Sequence, residues 1–129
     1  MDEAQAKKLF KLFFTHIDRT VLDSFSHADI GPKATRAGRL ILEVERELLD
    51  AVPNITMKYD TDITPDDFGI ECVKTALKTA KPSFANHKMF KKELGENYVI
   101  ASCYNGLLLG GGSHTLCRLI LGTIAKRAK

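Results

Sequence analysis

The sequence predicts an α/β fold in which helices flank a sheet of a few short strands. Three observations carry that expectation. Apolar residues recur at three-to-four spacing over residues 3–22 and 33–51, β-rich runs at 54–59 and 98–103 lie beyond them, and Pro53, Pro65 and Pro82 punctuate the boundaries. With 129 residues, 44% of them hydrophobic and 27% charged, the chain reads as a single segment long enough to bury a core.

In the first helical stretch Leu9, Phe10, Phe13, Phe14, Ile17 and Val21 form one wide stripe that must pack on another element. Ser26, His27, Asp29, Gly31 and Pro32 then make a polar, turn-rich loop with a short extended piece at 28–30. The second helix is expected from 33 to 51. Ala37, Leu40, Ile41, Val44, Leu48 and Val52 share one side of it, and Arg36, Arg39, Glu43, Arg46 and Glu47 form a solvated face. Pro53 disfavours helix at the residue before it, so the helix ends there and residues 54–59 read as a strand.

Thr64-Pro65-Asp66-Asp67 is a helix start, with threonine as cap, proline in the first turn and two carboxylates at the positive end of the dipole. Capping accounts for Asp66 and Asp67 without any acid–base role. Cys72, four residues after Phe68 and four before Ala76, falls on a packing face as a core thiol. This helix runs to about Ala80, where Lys81-Pro82 breaks it; 83–87 is a short extended or loop piece, and 88–94 form a brief helix closed by Gly95. After the run 98–103, Gly106 and Gly110 to Gly112 predict a tightly turned loop, and 115–121 reads as a strand passing into a helix through 128. The expected order is helix, helix, strand, helix, strand, strand, helix.

Composition excludes several classes of function. The net charge of +3 is small and dispersed, and Lys126, Arg127 and Lys129 complement the negative end of the last helix. There is no zinc-finger spacing, no RNA-binding strand signature and no Trp, so nucleic acid is not an expected partner. The glycine run lacks the Gly-Lys-Ser/Thr ending of a P-loop and the spaced glycines of a dinucleotide fingerprint. No window approaches the roughly 20 apolar residues of a membrane span, and the start lacks the order of a secretory signal, so a cytoplasmic location is expected. Cys72, Cys103 and Cys117, at spacings of 31 and 14, fit neither a disulfide framework nor a paired-thiol metal site. A thin sheet leaves edges that need a partner, so homo-oligomerisation through exposed apolar faces is expected of the free chain.

Cys103 is the candidate for chemistry. In Tyr98-Val99-Ile100-Ala101-Ser102-Cys103-Tyr104-Asn105-Gly106 an apolar strand ends on a thiol and breaks into a loop, which is a rigid pedestal open to substrate. Two other readings stand beside this one: a buried structural thiol, and a cysteine hydrolase with His114 or His87 as base.

Four pieces of the chain carry a resemblance. They are Asp18-Arg19-Thr20 with His27-Ala28-Asp29-Ile30-Gly31-Pro32; Pro53-Asn54-Ile55-Thr56 with Tyr59-Asp60 and Ile63-Thr64-Pro65-Asp66-Asp67; Lys81-Pro82-Ser83-Phe84-Ala85-Asn86; and Ser102-Cys103-Tyr104-Asn105 with the glycine run and Thr115-Leu116-Cys117-Arg118-Leu119. In this order they resemble the glycyl radical enzymes, most closely the YjjI-type glycine radical family, whose substrate is unknown. The resemblance implies that the chain is part of that family's α/β barrel, the central piece bearing the cysteine loop. It implies that Cys103 is catalytic, giving a hydrogen atom to a glycyl radical and then taking one from substrate, in a site closed to water and oxygen. It implies substrate-binding positions at His27, Asn86, Ser102, Tyr104 and Asn105, and no metal ligands. No bound cofactor is implied. The radical is installed by a radical-SAM activating enzyme, which is an implied partner together with the remaining barrel or radical-domain polypeptide.

Departures from the family pattern narrow the chemistry. Ser102 stands where pyruvate formate-lyase has the first of two adjacent cysteines, and Asn105 stands where diol- and choline-type members have a general-base glutamate. Acyl transfer and base-assisted elimination are therefore not expected. The radical-glycine pattern, which resembles Arg-Val-x-Gly-Tyr, is absent, so the chain is expected to be an internal fragment, inactive alone. The alternative from another class is a small helix-rich interaction module with a structural cysteine, in which the Phe10, Phe13, Phe14 and Ile17 stripe binds a partner.

Overall fold

Two successive strand–helix–strand units set the architecture. The computed structural model describes residues 2–20, 26–101, 105–108, 110–111 and 126–127. Its elements are α1 (Glu3–Thr20), β1 (His27–Ile30), α2 (Arg36–Leu48), β2 (Asn54–Tyr59), α3 (Asp66–Thr79), β3 (Ser83–Asn86), α4 (His87–Leu94), β4 (Tyr98–Ala101) and β5 (Asn105–Leu108). The class is α/β, as expected. Strands β1, β2 and β3 pair in parallel in that order, with His27 opposite Asn54 and Thr56 opposite Ser83. Parallel neighbours need a crossover, and α2 and α3 supply the two. Strands β4 and β5 form a separate antiparallel pair, Tyr98 opposite Leu108 and Ala101 opposite Asn105.

Several boundaries differ from the sequence expectation. The short extended piece expected at 28–30 within the polar connection is present as strand β1 and begins one residue earlier, at His27; Ala28 and Ile30 alternate with His27 and Asp29, and Ile30 joins the core. Helix α2 starts at Arg36, where the Thr35 hydroxyl accepts from Gly38 N at 3.0 Å, and stops at Leu49 in left-handed conformation, before Pro53 can act. Thr64 does not cap α3. Pro65 takes that position, while Thr64 Oγ1 donates to Pro32 O at 2.9 Å and accepts from Asp60 N at 3.1 Å, tying the loops after β1 and β2 together. The expected glycine loop begins with a strand, since Asn105 to Leu108 pair with β4. The strand-to-helix passage expected at 115–128 falls outside the described residues except at Lys126 and Arg127, which are helical.

The core forms on both faces of the sheet. Ile30, Leu42, Ile55, Met57, Phe68 and Cys72 pack between the sheet and the α2–α3 layer. Burial pushes the Cys72 thiol up to about 12, as suits an inert core residue. Arg39 bonds Glu71 at 2.7 Å and Asp67 at 2.5 Å and lies over the Phe68 ring, joining α2 to α3. Lys81 reaches back to the end of α2, donating to Asp50 O at 2.8 Å and Pro53 O at 3.0 Å with Glu45 Oε2 2.6 Å away. Val21 of the expected stripe lies outside the described residues; of the rest, Phe14 and Ile17 are buried and Leu9 and Phe13 are exposed, because among the described elements α1 packs mainly on the single helix α2. Among the described residues no helix is long and apolar enough to cross a membrane.

Gly31 holds φ +80° where β1 turns toward α2, and an added Cβ would lie 2.7 Å from Met57 Sδ and 2.8 Å from Lys58 O. Gly31→Ala is expected to cost about 2 kcal/mol or more, read from urea unfolding. Gly69→Ala, at the fourth residue of α3 with its Cβ at an ordinary 3.6 Å from Tyr59, should instead raise stability by about 1 kcal/mol.

Lys11 and Lys7 beside Glu47 hold its carboxyl down at about 2, from 4.5. A depressed carboxylate stabilises the fold above its unfolded value and stops doing so as pH falls through the folded one. Glu47→Gln is therefore expected to melt at a lower temperature than the parent at neutral pH. The gap should close between pH 4.5 and about 2 in a pH series of thermal melts.

Candidate functional site

Strand alternation gives the sheet two unlike faces. Ile30, Ile55 and Met57 face the helices, whereas His27, Asp29, Thr56 and Lys58 fall on the opposite face, with Ser83 and Ala85 beside them by register. The polar face is the one the β4–β5 hairpin covers. Asp29 Oδ2 accepts the Ile100 N–H at 2.8 Å, and Lys58 Nζ, 3.2 Å from the same oxygen, donates to Tyr98 O at 2.8 Å. The Lys58 ammonium also sits 4.3 Å from the centre of the Tyr98 ring. Ala85, Tyr98 and Ile100, with Phe90 and Leu94 of α4, fill the space between hairpin and sheet.

Tyr98 is buried at the head of β4, its hydroxyl 2.8 Å from His87 Nδ1 and its ring stacked on Phe90 at 5.4 Å. Burial, reinforced by the Asp29 and Asp60 carboxylates, pushes the phenol up to about 12. Gly106 of β5 is a close approach: a Cβ there would lie 2.6 Å from Leu94 Cδ1 and 2.7 Å from Phe90 Cε1, so only glycine lets α4 lie against the hairpin.

Strand β4 runs against the parallel strands. Tyr98 meets Lys58 and His87 near the carboxyl ends of β2 and β3, while Ile100 lines a cleft with Thr56 and Ser83 nearer their amino ends. The Ala101–Asn105 end of the hairpin is thus directed toward the end of the sheet where His27 and Asn54 stand. That cleft, of about 370 Å³, is also lined by Asn86, Met89 and Phe90. A second cleft, of about 340 Å³, lies at the carboxyl ends of β2 and β3 between Tyr59, Asp60, Phe84, Asn86 and Lys88. Outside the carboxyl ends of parallel strands is where α/β sheets commonly bind ligands.

The candidate residues from the sequence distribute as follows. Cys103, Ser102 and Tyr104 lie outside the described residues, as does His114. Asn105 opens β5 opposite Ala101. His27 opens β1 with its side chain almost wholly buried, Nε2 lying 2.7 Å from Thr56 Oγ1 and 3.9 Å from Asp29 Oδ1. Asn86 is exposed, lines both clefts and caps α4 through Oδ1, which accepts Met89 N–H at 3.1 Å. His87, weighed as a hydrolase base, is buried at the start of α4 and bonded to Tyr98. Among the described residues no three His, Cys, Asp or Glu side chains group to hold a metal.

Asp29, Thr56, Lys58 and Tyr98 were not singled out by the sequence reading. The signal that finds them is the recurrence of polar residues at 27, 29, 56 and 58, every second position of two β-prone runs, which marks a polar sheet face. What the arrangement does chemically is to hold a hairpin against that face by charged side chains, with a histidine, a threonine and two clefts alongside.

Comparison with known proteins adds the lineage. The family described as glycyl radical enzyme YjjI-like matches residues 1–129. An uncharacterized protein of Haemophilus influenzae is 48% identical over 128 residues, covering 99% of this chain and 25% of that protein. The uncharacterized protein YjjI of Escherichia coli strain K12 is 43% identical over 120 residues, covering 92% of this chain and 23% of that protein. The chain thus spans about a quarter of the length of these curated relatives. No solved structure matches it. The chain belongs to the YjjI-like glycyl radical enzyme family.

Proposed function

We propose that this chain is the portion of a glycyl radical enzyme that carries its hydrogen-relay thiol, Cys103, within a larger α/β barrel. The observation that carries the reading is the fastening of β4 to the sheet through Asp29 and Lys58, with Ala101 and Asn105 paired on either side of 102–104. In a member of this family, such a fastened hairpin is a fitting carrier for a thiol that must meet both a radical and a substrate. The radical itself supplies the oxidising equivalent. Cys103 gives its S–H hydrogen atom to the glycyl radical, then takes one from a substrate C–H, so its thiol is restored and the unpaired electron passes to substrate. The exchange runs in reverse at the end of turnover.

His27, Asn86, Ser102, Tyr104 and Asn105 are proposed to contact substrate. Ser102 and Asn105 can serve neither as an acyl-carrying thiol nor as a general base, so the chemistry is neither pyruvate-type acyl transfer nor base-assisted elimination. The radical glycine is proposed to reside on the remaining barrel or radical-domain polypeptide and to be charged anaerobically by a radical-SAM activating enzyme. The chain by itself is then inactive. A second reading, a self-associating module with a structural cysteine, is favoured by the exposed Leu9, Leu12 and Phe13 of α1 and Ile70, Val73 and Leu77 of α3.

Anaerobic incubation of the chain alone with a radical-SAM activase is expected to leave the EPR spectrum empty of a glycyl doublet, and a doublet arising from this chain by itself sinks the proposal. In the native chain, iodoacetamide should modify Cys103 at least about tenfold faster than Cys72, whose thiol is buried and raised to about 12, as read by peptide mass spectrometry. Equal, slow modification of both cysteines would leave the structural-cysteine module standing instead.

A further inference from the structure

We infer that Asp29 and Lys58 are positioning residues for the cysteine-bearing hairpin, an inference that rests on the relay reading of Cys103. The two side chains rise from adjacent strands on the same sheet face, and each is only about 15% exposed (15% for Asp29, 14% for Lys58). A single carboxylate oxygen, Asp29 Oδ2, takes both the Ile100 N–H at 2.8 Å and the Lys58 ammonium at 3.2 Å. The same ammonium donates to Tyr98 O at 2.8 Å and lies over the Tyr98 ring. One ion pair therefore grips β4 at a backbone donor and a backbone acceptor two residues apart.

That spacing has a geometric meaning. Backbone groups of residues two apart point to the same edge of a strand, so Tyr98 and Ile100 present the edge that β5 does not use. No strand pairs with that edge among the described residues, and the Asp29–Lys58 pair takes the place of one. Two attachment points on one edge set the height of β4 and its rotation, and Cys103 follows only three residues after Ile100. A one-residue slip would turn each side chain of β4 to the other face, and loss of either contact would let the strand rotate.

Stability alone is a weak reason for this arrangement. Enclosing two opposite charges costs desolvation that an apolar pair of similar size would avoid. What charged partners add is direction: charge-assisted hydrogen bonds are short, and here they are aimed at named backbone atoms. Hydrogen-atom transfer needs its partners held to within a fraction of an ångström, and such placement comes from supporting residues that do not touch the substrate. The remaining oxygen, Asp29 Oδ1, lies 3.9 Å from His27 Nε2, so the same carboxylate also borders the residue proposed to face substrate.

The test uses the full chain and two readouts. Asp29→Ala and Lys58→Met are expected to speed amide hydrogen exchange at Ile100 by about tenfold or more and to change the alkylation rate of Cys103 several-fold. Exchange at Leu42 and Phe68 should stay slow, and Cys72 should stay unreactive. Asp29→Asn, which keeps an acceptor for the Ile100 N–H, and Lys58→Arg, which keeps the cation, should recover most of the protection. These two conservative variants also serve if the larger changes do not fold. Unaltered Ile100 exchange and Cys103 reactivity across the set overturn the positioning role. So does equal loss of protection in hairpin and core for all four variants, which marks a general structural contribution. Failure of the relay reading appears elsewhere: iodoacetamide modification of Cys103 in the parent chain as slow as that of Cys72 refutes an accessible relay thiol and leaves the Ile100 exchange result intact.

Discussion

The two-sided character of β2 is the constraint on which the rest of the structure depends. It is the central strand, paired on both edges, and its alternate residues must satisfy two different layers. Ile55 and Met57 enter the apolar layer with Leu42, Phe68 and Cys72, while Thr56 and Lys58 engage His27, Asp29 and the hairpin. A shift of one residue in register would put Lys58 among the core residues of α2 and α3 and expose Ile55 and Met57 to the polar side. The helix order, the parallel pairing and the seating of the hairpin all follow from keeping that alternation.

At two places among the described residues, enclosed charge supplies partners to backbone groups that no neighbouring strand reaches. Lys81 caps the loop after α2 by donating to two carbonyls, with Glu45 as counter-charge. Burial pushes the Glu45 carboxyl up from its ordinary range against the pull of Lys81. Asp29 and Lys58 do the same for one edge of β4. Buried carbonyls and amides must find partners, and a long side chain can deliver one where no strand is available. The outer ion pairs, such as Lys7 and Lys11 with Glu43 and Glu47, join α1 to α2 at the surface, where each is worth little individually.

Family membership and geometry bear on different questions. Membership supplies the lineage on which the proposed reaction class rests, since the fold alone would be compatible with many activities. Geometry says how the sheet is polarised: an apolar side for helices, a polar side with His27, Thr56 and two clefts for whatever occupies the other. The chain spans about a quarter of the length of its curated relatives, and this polar side is the part of it on which the proposed site rests. Ser102 and Asn105 are the residues on which the proposed exclusion of acyl transfer and base-assisted elimination rests.

Residues 54–59 as a strand, the helices of α1 to α4 and the core place of Cys72 were legible in the sequence, because each depends on local periodicity and on prolines and glycines acting over a few residues. The family was legible too, through motifs at Asp18, Pro53, Lys81 and Ser102 read in order. What the sequence could not determine depends on partners distant along the chain. The extended piece at 28–30 was legible, but its pairing with β2 was not; Thr64 leaves its capping role because Pro32 O lies within 2.9 Å; and Gly106 belongs to a strand because Val99 to Ala101 offer an edge. Above all, Asp29 and Lys58, 29 residues apart, acquire their meaning at Ile100, a further 42 residues on, and only tertiary packing brings those three positions together.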